Sequence, residues 1–260
     1  MDGSPQLVGR ILREVPTGLP AHDRLELHRQ SAQVGSAQIQ VGGRSSLWAT
    51  NLKDTVEAAG TLAVSGHEHR VVLKAYWPGQ VHKSDVGAVR TNLHGREAVR
   101  EAFRSFVRDF GDRLAGVVVQ PQAAPGTELF AGMVQDQVFG PLVLFGMGGT
   151  AVDLLDDRSA RLAPLTSADI RTLLTTPHGA PLLFGYRGTP PADLDALEDL
   201  LARISALASD LPQLTELDLN PVIASKDGIT CVDARLRLEP RPAPDPYLRR
   251  LRRLPDTHQE

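Results

Sequence analysis

The sequence predicts an α+β protein built from two successive blocks of strands and helices. Three observations support this prediction. Short valine-rich runs of strand length alternate with longer segments of helical periodicity from residue 51 onward. Two of the helical segments carry a continuous apolar face, and two strand-like runs near the C-terminus flank a turn signal. A chain of 260 residues can bury a sizeable core, as one large domain or as two lobes.

Overall composition narrows the class of protein. Hydrophobic residues make up 42% of the chain and charged residues 23%, which is ordinary for a globular protein. The net charge of -3 gives no general attraction to nucleic acids or anionic membranes. Cys231 is the only cysteine, which excludes an intrachain disulfide and a thiolate metal cluster. Since neither a signal-peptide run nor an apolar stretch of about 20 residues is present, we expect a cytoplasmic protein that binds neither nucleic acid nor membrane.

The first block is predicted to run helix, strand, loop, strand, helix, strand. A short helix is expected over residues 54–64, and strands over Val71–Tyr76, residues 86–91 and Gly116–Pro121. The helix expected over Arg96–Phe110 repeats apolar residues at helical spacing. These residues are Ala98, Val99, Ala102, Phe103, Phe106, Val107 and Phe110.

The second block is predicted to contain two strands and a C-terminal hairpin. The strands are expected over residues 129–134 and 142–145. The hairpin joins residues 214–224 to residues 229–234 around Ser225-Lys226-Asp227-Gly228, in which Asp-Gly is the turn signal.

Helix signals and a glycine-rich turn complete the second block. Thr166 and Asp169 form a capping pair for a short helix, and Asp193 can cap the helix that ends near Leu211. Gly146–Gly149 is either a tight turn or an anion cradle made of backbone N–H groups.

Both ends of the chain give weaker signals. Residues 1–45 are predicted as a poorly defined N-terminal arm, because their periodicity is weak. Residues 241–260 form a tail rich in proline and arginine. A solvated extension is the simpler interpretation of this tail, and docking to a partner is the alternative.

The C-terminal hairpin gathers groups suited to a metal ion. Because side chains alternate along a strand, Asp218 and Asn220 share one face. A turn at 225–228 pairs residue 224 with 229, and therefore sets Asn220 opposite Asp233 and Asp218 opposite Arg235. Carboxylate and amide oxygens suit Mg²⁺, which also keeps waters and substrate phosphates as ligands. The competing interpretation is an exposed hairpin with scattered polar residues.

Three further side chains have two interpretations each. Lys74 lies in an apolar strand, where its ammonium either reaches solvent or serves a nucleotide phosphate. Glu128 follows the 122–127 loop and is either a surface residue or a ligand for a ribose hydroxyl or a metal. His82, in a polar loop, is either solvated or a phosphoryl acceptor.

Six ordered motifs together resemble the ATP-grasp domain of ADP-forming acetyl-CoA and acyl-CoA synthetases, which also occurs in related bacterial protein acetyltransferases. The resemblance covers about residues 50–238. The motifs are VVLKAYWPGQVHKSDVGAV (71–89), GVVVQPQAAPGTELFAGMV (116–134), FGPLVLFGMGGTAVDLLDD (139–157), RLAPL (161–165), GYRGTPPADL (185–194) and ELDLNPVIASKDGITCVDAR (216–235). The resemblance implies an ATP-grasp fold, with a small lobe over 46–121, a large lobe over 122–240 and the nucleotide between them.

The same resemblance implies a role for individual residues. His82 matches the loop histidine that carries the phosphoryl group. The positions that match ATP- or ADP-binding residues are Lys74, Val119, Gln120, Ala123 and Glu128, the hinge residues meeting adenine through their backbone. The positions that match Mg²⁺ ligands are Asn220 and Asp233, with Asp218 close by.

The family pattern also implies a partner. The CoA-binding and ligase domains that usually precede this module are not in the sequence, so we expect a separate CoA-binding α-type subunit and a hetero-oligomer. Two positions depart from the pattern, Ala88 in place of a second glycine and Asp153 in place of glutamate. A nucleotide-sensing module that regulates an acyltransferase or ligase partner is the main alternative, and a degenerate scaffold is a third.

Overall fold

The computed structural model describes the backbone of residues 37–42 and the full residues of 46–65, 67–77, 87–148 and 157–240. Two predictions therefore fall outside the described residues: the loop that contains His82, and the position of Asp153. The remainder of the predicted N-terminal arm, residues 1–36 and 43–45, and the predicted tail from residue 241 also lie outside them.

The described residues form strands and helices throughout. The strands are β1 (Ala37–Gly42), β2 (Leu47–Ala49), β3 (Arg70–Tyr76), β4 (Val89–His94), β5 (Gly116–Pro121), β6 (Thr127–Asp136), β7 (Gly140–Met147), β8 (Arg158–Leu162), β9 (Leu214–Ser225), β10 (Gly228–Cys231) and β11 (Asp233–Leu238). The α-helices are α1 (Leu52–Leu62), α2 (Gly95–Phe110), α3 (Ser167–Thr175) and α4 (Leu194–Asp210). No helix among them is both long and apolar enough to cross a membrane.

The first sheet has four antiparallel strands in the order β2-β5-β3-β4. Helices α1 and α2 pack on one of its faces and enclose a core with Leu73, Val119 and Phe106. The Asn51 side chain caps α1 by accepting a hydrogen bond from the Asp54 N–H, 3.0 Å away. Helix α2 buries most of its predicted apolar face, but Val107 points outward and is half exposed.

The second sheet has seven strands, with β1-β11-β9-β6-β7-β8 as its main path and β10 paired to β9. Helices α3 and α4 cover one face and contribute most of the larger core. The predicted capping pair is confirmed, because Thr166 and Asp169 each bond the other's backbone N–H. Asp193 caps α4 through the Ala196 N–H at 3.0 Å, also as predicted.

The structure corrects the sequence prediction at three strands and one turn. β1, β2 and β8 were not predicted, and β1 places part of the predicted N-terminal arm inside the larger sheet, paired with β11. The hairpin turn is made by Lys226-Asp227, and Gly228 is already paired with Ser225. The predicted loop at 225–228 is therefore two residues shorter than expected, while the expected pairing of residue 224 with 229 is confirmed.

Each sheet leaves one face uncovered by its own helices. In β3 the residues Val71, Leu73 and Ala75 belong to the core under the helices. The alternate residues of that strand therefore lie on the open face. In the larger sheet the core uses Leu217 and Leu219 of β9, so Asp218 lies on its open face. The two open faces meet at Lys74.

Candidate functional site

Lys74 joins the two sheets. Its ammonium donates a hydrogen bond to the Val232 carbonyl at 2.9 Å and lies 3.8 Å from Asp233 Oδ1. The residue is only 5% exposed, so it does not extend to solvent, which was one of its two sequence interpretations. Burial lowers the pKa of Lys74 from its usual 10.5, and the nearby Asp233 carboxylate opposes that shift. A cation is thus held where β3 of one lobe approaches β11 of the other.

The Val232 carbonyl is available to Lys74 because the residue opposite Val232 on β9 is Pro221, which has no N–H to donate. Val232 lies between β10 and β11 and donates its N–H to the Pro221 carbonyl at 3.0 Å. The neighbouring strand β9 shifts register against β6 between Leu129 and Ala131.

The polar residues of the hairpin converge as predicted. Asp218 pairs with Arg235, which confirms the predicted register. Pairing of Cys231 with Val222 on one side of Val232, and of Ala234 with Leu219 on the other, keeps that register across the break. Asn220 therefore lies opposite Asp233.

Cys231 belongs to this cluster although sequence reasoning gave it no role. Its thiol donates to the Asp233 carbonyl at 3.2 Å. Burial raises the pKa of the Cys231 thiol to about 12, with a further contribution from the Asp233 carboxylate, and Lys74 acts in the opposite direction. The position of Cys231, two residues before Asp233 in an edge strand, was the only sequence signal that could have placed it here.

The strand that leads out of the small sheet supplies the next part of the cleft. Gln120 is buried opposite Val72, and its Nε2 atom has no hydrogen-bond partner among the described residues. Val119 pairs with Leu47 and Leu73, and its side chain is in the core under the helices. Val119 therefore does not present its side chain to the open face.

The hinge, residues 119–123, continues beyond Gln120. Some of its backbone N–H and carbonyl groups are hydrogen-bonded within the small sheet, and others face away from that sheet. The Gln122 N–H donates to the Arg70 carbonyl at 2.9 Å, and its carbonyl accepts from the His67 N–H at 2.8 Å. Because backbone groups alternate sides along an extended chain, those of Pro121 and Ala123 face the other way. Ala123 is half-buried there.

Glu128 lies at the start of β6, beside the glycine-rich segment at the end of β7. Glu128 is exposed, pairs with Ile223, and accepts the Gly148 N–H on its backbone carbonyl at 2.8 Å. A Cβ on Gly148 would lie 2.5 Å from the Leu129 backbone. Close packing therefore accounts for Gly148, whereas Gly146 and Met147 belong to β7 and not to the predicted turn, and Gly149 lies outside the described residues.

Asp157, directly before β8, accepts hydrogen bonds from the backbone ahead of the 3-10 turn at residue 180. Its carboxylate accepts hydrogen bonds from the His178 N–H at 2.6 Å and the Gly179 N–H at 2.7 Å. Burial would raise the pKa of Asp157, but these backbone donors and the His178 ring outweigh it and hold that pKa below its usual 3.8.

The residues present fit a hydrated divalent cation held together with a nucleotide. Among the described residues, no three His, Cys, Asp or Glu side chains group into a metal site. Mg²⁺ does not need such a group, because it commonly takes one or two carboxylates and completes its shell with waters and phosphates. Asp233, Asp218 and Asn220 offer this donor set beside the Lys74 ammonium, and the unsatisfied Gln120 amide lies on the opposite wall.

A lysine, an acid-amide cluster and a buried amide thus line the space between the two sheets. The model of the ATP-grasp domain family matches residues 24–238, which is most of the chain. The chain belongs to the ATP-grasp family.

Within this family, the chain is similar to ADP-forming acetate–CoA ligases. The chain is 36% identical over 195 residues to the β subunit of acetate–CoA ligase [ADP-forming] I of Pyrococcus furiosus, covering 73% of this chain and 82% of that subunit. It is 42% identical over 173 residues to acetate–CoA ligase [ADP-forming] I of Archaeoglobus fulgidus, covering 65% of this chain but 25% of that protein. The chain thus spans most of a β subunit and a quarter of a longer ligase.

A solved structure shares the fold. Acetyl-coenzyme A synthetase 1 of Candidatus Korarchaeum cryptofilum, in complex with coenzyme A and Mg-AMPPCP, superposes with a TM-score of 0.64 at 33% identity. The match covers 91% of this chain and all of that one. In that complex the phosphohistidine segment points towards the nucleotide-binding site.

Proposed function

We infer that the chain is the nucleotide- and Mg²⁺-binding subunit of an ADP-forming acyl-CoA synthetase, an acid–thiol ligase. The observation that carries this inference is the meeting of Lys74 with Asp233 across the two lobes, 3.8 Å apart. A phosphate group needs a cation, and Mg²⁺ needs carboxylates, so the pair supplies both requirements at one point. Similarity to ligase β subunits supports the same reaction.

In this proposal each wall of the cleft binds one part of ADP or ATP. The base lies along the hinge at Pro121–Ala123 and is recognised through backbone groups, while the Gln120 amide and Glu128 serve the ribose. Lys74 binds the phosphates as a point charge. Asp233 and Asn220, with Asp218 beside them, hold Mg²⁺, which when bound neutralises charge on the transferred phosphoryl group.

His82 is the proposed phosphoryl carrier. In the direction of ATP synthesis, the P–N bond of phosphohistidine breaks as an O–P bond forms with the terminal phosphate of ADP, and the imidazole is left neutral. Lys74 keeps the nucleotide phosphates in place for in-line attack and offsets the charge that builds up on them.

The acyl-CoA half of the reaction requires a second component. We propose a CoA-binding α-type subunit as the partner in a hetero-oligomer, supported by similarity both to β subunits and to longer single-chain ligases. The proposed compartment is the cytoplasm. A sensing module that binds ATP or ADP without phosphoryl transfer is the second candidate, because binding uses all of these residues except His82.

Labelling with radioactive ATP separates these two functions. With Mg²⁺ and γ-labelled ATP, the wild-type chain should acquire an acid-labile phosphoryl group. His82→Ala should abolish the label and keep the affinity for ADP, while His69→Ala, a change at an exposed histidine, should keep both. Tight nucleotide binding without any label in the wild-type chain would favour the sensing module.

A further inference from the structure

Gln122 lies in the hinge and is held there by three parts of the small lobe. Its backbone N–H donates to the Arg70 carbonyl at 2.9 Å, and its backbone carbonyl accepts from the His67 N–H at 2.8 Å. Its side-chain Oε1 accepts a hydrogen bond from the Asn92 N–H at 3.0 Å. The 3-10 turn that begins at His67, the start of β3, and β4 therefore all contact one hinge residue.

The side chain of Gln122 satisfies a backbone group that the sheet leaves without a register partner. A step of two residues on β3, from 71 to 73, matches a step of three residues on β4, so β4 contains a bulge. Asn92 lies in this bulge and pairs with no residue of β3. A backbone N–H in such a position needs an acceptor from elsewhere, and the hinge side chain supplies it.

Left-handed backbone conformations are concentrated in the segments that donate to Gln122. Four non-glycine residues among those described have a positive φ, and three of them are Glu68, His69 and Asn92, at 49°, 56° and 58°. The first two follow His67 directly. Such conformations are unfavourable for residues with a side chain, and they persist where surrounding contacts impose them, often next to functional sites. The small lobe therefore accepts strained backbone on both sides of this hinge residue.

Fixing Gln122 determines how its two neighbours are oriented. Because backbone groups alternate sides along an extended chain, those of Pro121 and Ala123 are directed away from the small sheet. These are the groups to which the proposed function assigns the base. Pro121 has no N–H and offers only its carbonyl, whereas Ala123 offers a donor. An acceptor followed by a donor matches the adenine edge, on which the N6 amino group donates and N1 accepts.

We propose that Gln122 is a positioning residue that sets the base selectivity of the nucleotide site, an inference that rests on the proposed function. Its N–H, its carbonyl and its Oε1 are all engaged within the small lobe, so it acts on the base through Pro121 and Ala123. Without the side-chain acceptor, the hinge loses its bond to β4 and the alignment of the two neighbouring backbone groups. Lys74 still binds the phosphates.

Substitutions at two glutamines test this role. Gln122→Met keeps the length of the side chain and removes the acceptor, whereas Gln122→Glu keeps an acceptor for the Asn92 N–H. Gln135→Met is the matched control, because the Gln135 Oε1 accepts no hydrogen bond among the described residues. Each variant is titrated by calorimetry with Mg-ADP and with Mg-IDP, the inosine nucleotide, whose base presents an acceptor at O6 and a donor at N1.

The expected result is a change in the ratio of the two affinities. The wild type should prefer Mg-ADP to Mg-IDP. Gln122→Met should weaken Mg-ADP binding by about five- to tenfold, as expected for the loss of one hydrogen bond, and should leave Mg-IDP binding nearly unchanged. Gln122→Glu should restore the wild-type ratio to within about twofold, and Gln135→Met should keep it. Should methionine disturb the fold, Gln122→Ala removes the same acceptor.

Several outcomes would overturn the positioning role. Equal weakening of both nucleotides by Gln122→Met would make Gln122 a structural residue, because a general loss of order does not distinguish the bases. An unchanged ratio in that variant, or a failure of glutamate to restore it, would also overturn the role. A wild type that binds both nucleotides equally would show that the hinge does not select the base and would leave the phosphate site standing. A wild type that binds neither nucleotide would reject the proposed function itself.

Discussion

Asp233→Asn and Lys74→Met, made singly and together, measure the contact that joins the two lobes. The charged atoms are 3.8 Å apart, and their side chains are only 7% and 16% exposed. At an effective dielectric constant of about 20 the Coulomb attraction at this distance is about 4 kcal/mol. Residual solvent screening and the hydrogen bond that Lys74 retains to Val232 reduce the net coupling, which we expect to be about 1–3 kcal/mol.

The single variants should differ in a characteristic way. Asp233→Asn leaves a buried ammonium without its counter-charge and should lower the free energy of unfolding by about 1–3 kcal/mol. Lys74→Met should cost less, because methionine fills the space without the desolvation penalty of a buried charge. The double variant should lose little more unfolding free energy than Lys74→Met alone, because the Asp233 carboxylate no longer has an ammonium to neutralise.

Urea unfolding without nucleotide provides the four free energies of this cycle. A coupling energy above about 1 kcal/mol would support an ion pair between the lobes. Additive effects, within about 0.3–0.5 kcal/mol, would mean that Lys74 and Asp233 do not interact in the folded chain, and the cleft described above would lose its central contact.

Three further predictions follow from the lowered and raised pKa values. The folded pKa of Lys74 lies below 10.5, so between these two pH values the unfolded chain binds more protons than the folded chain. As pH rises toward 10.5, the unfolding free energy of the wild type should therefore increase relative to that of Lys74→Met. Parallel pH profiles for the two proteins would contradict a buried ammonium. With a thiol pKa of about 12, Cys231 should react with a disulfide reagent at pH 8 roughly a thousandfold more slowly in the folded than in the urea-unfolded chain. Asp233→Asn should accelerate the reaction of the folded chain. Equally fast labelling of the folded and unfolded wild type would contradict the buried position of this thiol. Asp157→Ala should lower the free energy of unfolding by about 1–2 kcal/mol at neutral pH, because two backbone N–H donors lose their acceptor. This difference from the wild type should vanish as pH falls well below 3.8, through the depressed folded pKa of Asp157. A loss of stability that persists in acid would instead indicate an effect on packing.

Local sequence signals were sufficient for the hairpin that carries the acid-amide cluster. Strand alternation and a short turn determine the pairing of Asp218 with Arg235 by counting alone. The observed two-residue turn has the same centre as the predicted four-residue loop, so the pairing is unchanged. The helices around Phe106 and Leu201 were equally predictable, because their apolar spacing reports a buried face.

Long-range contacts and weakly apolar strands were not predictable in the same way. The carbonyl that holds Lys74 is 158 residues away in sequence, and it is available because Val232 lies opposite Pro221, which has no N–H to donate. β8 reads RSARL, and Ser159 is its one buried residue, so its membership of the sheet comes from pairing with β7 and from no apolar pattern of its own.

Calorimetric titration of the purified chain with Mg-ADP, beside the same titration of Asp233→Ala, tests the nucleotide site most directly. Saturable binding in the wild type that depends on Mg²⁺ and is lost in a folded Asp233→Ala variant is the predicted result. Binding that is unchanged in the variant would contradict the metal site of the hairpin, and a wild-type chain that binds no Mg-ADP would contradict the cleft itself.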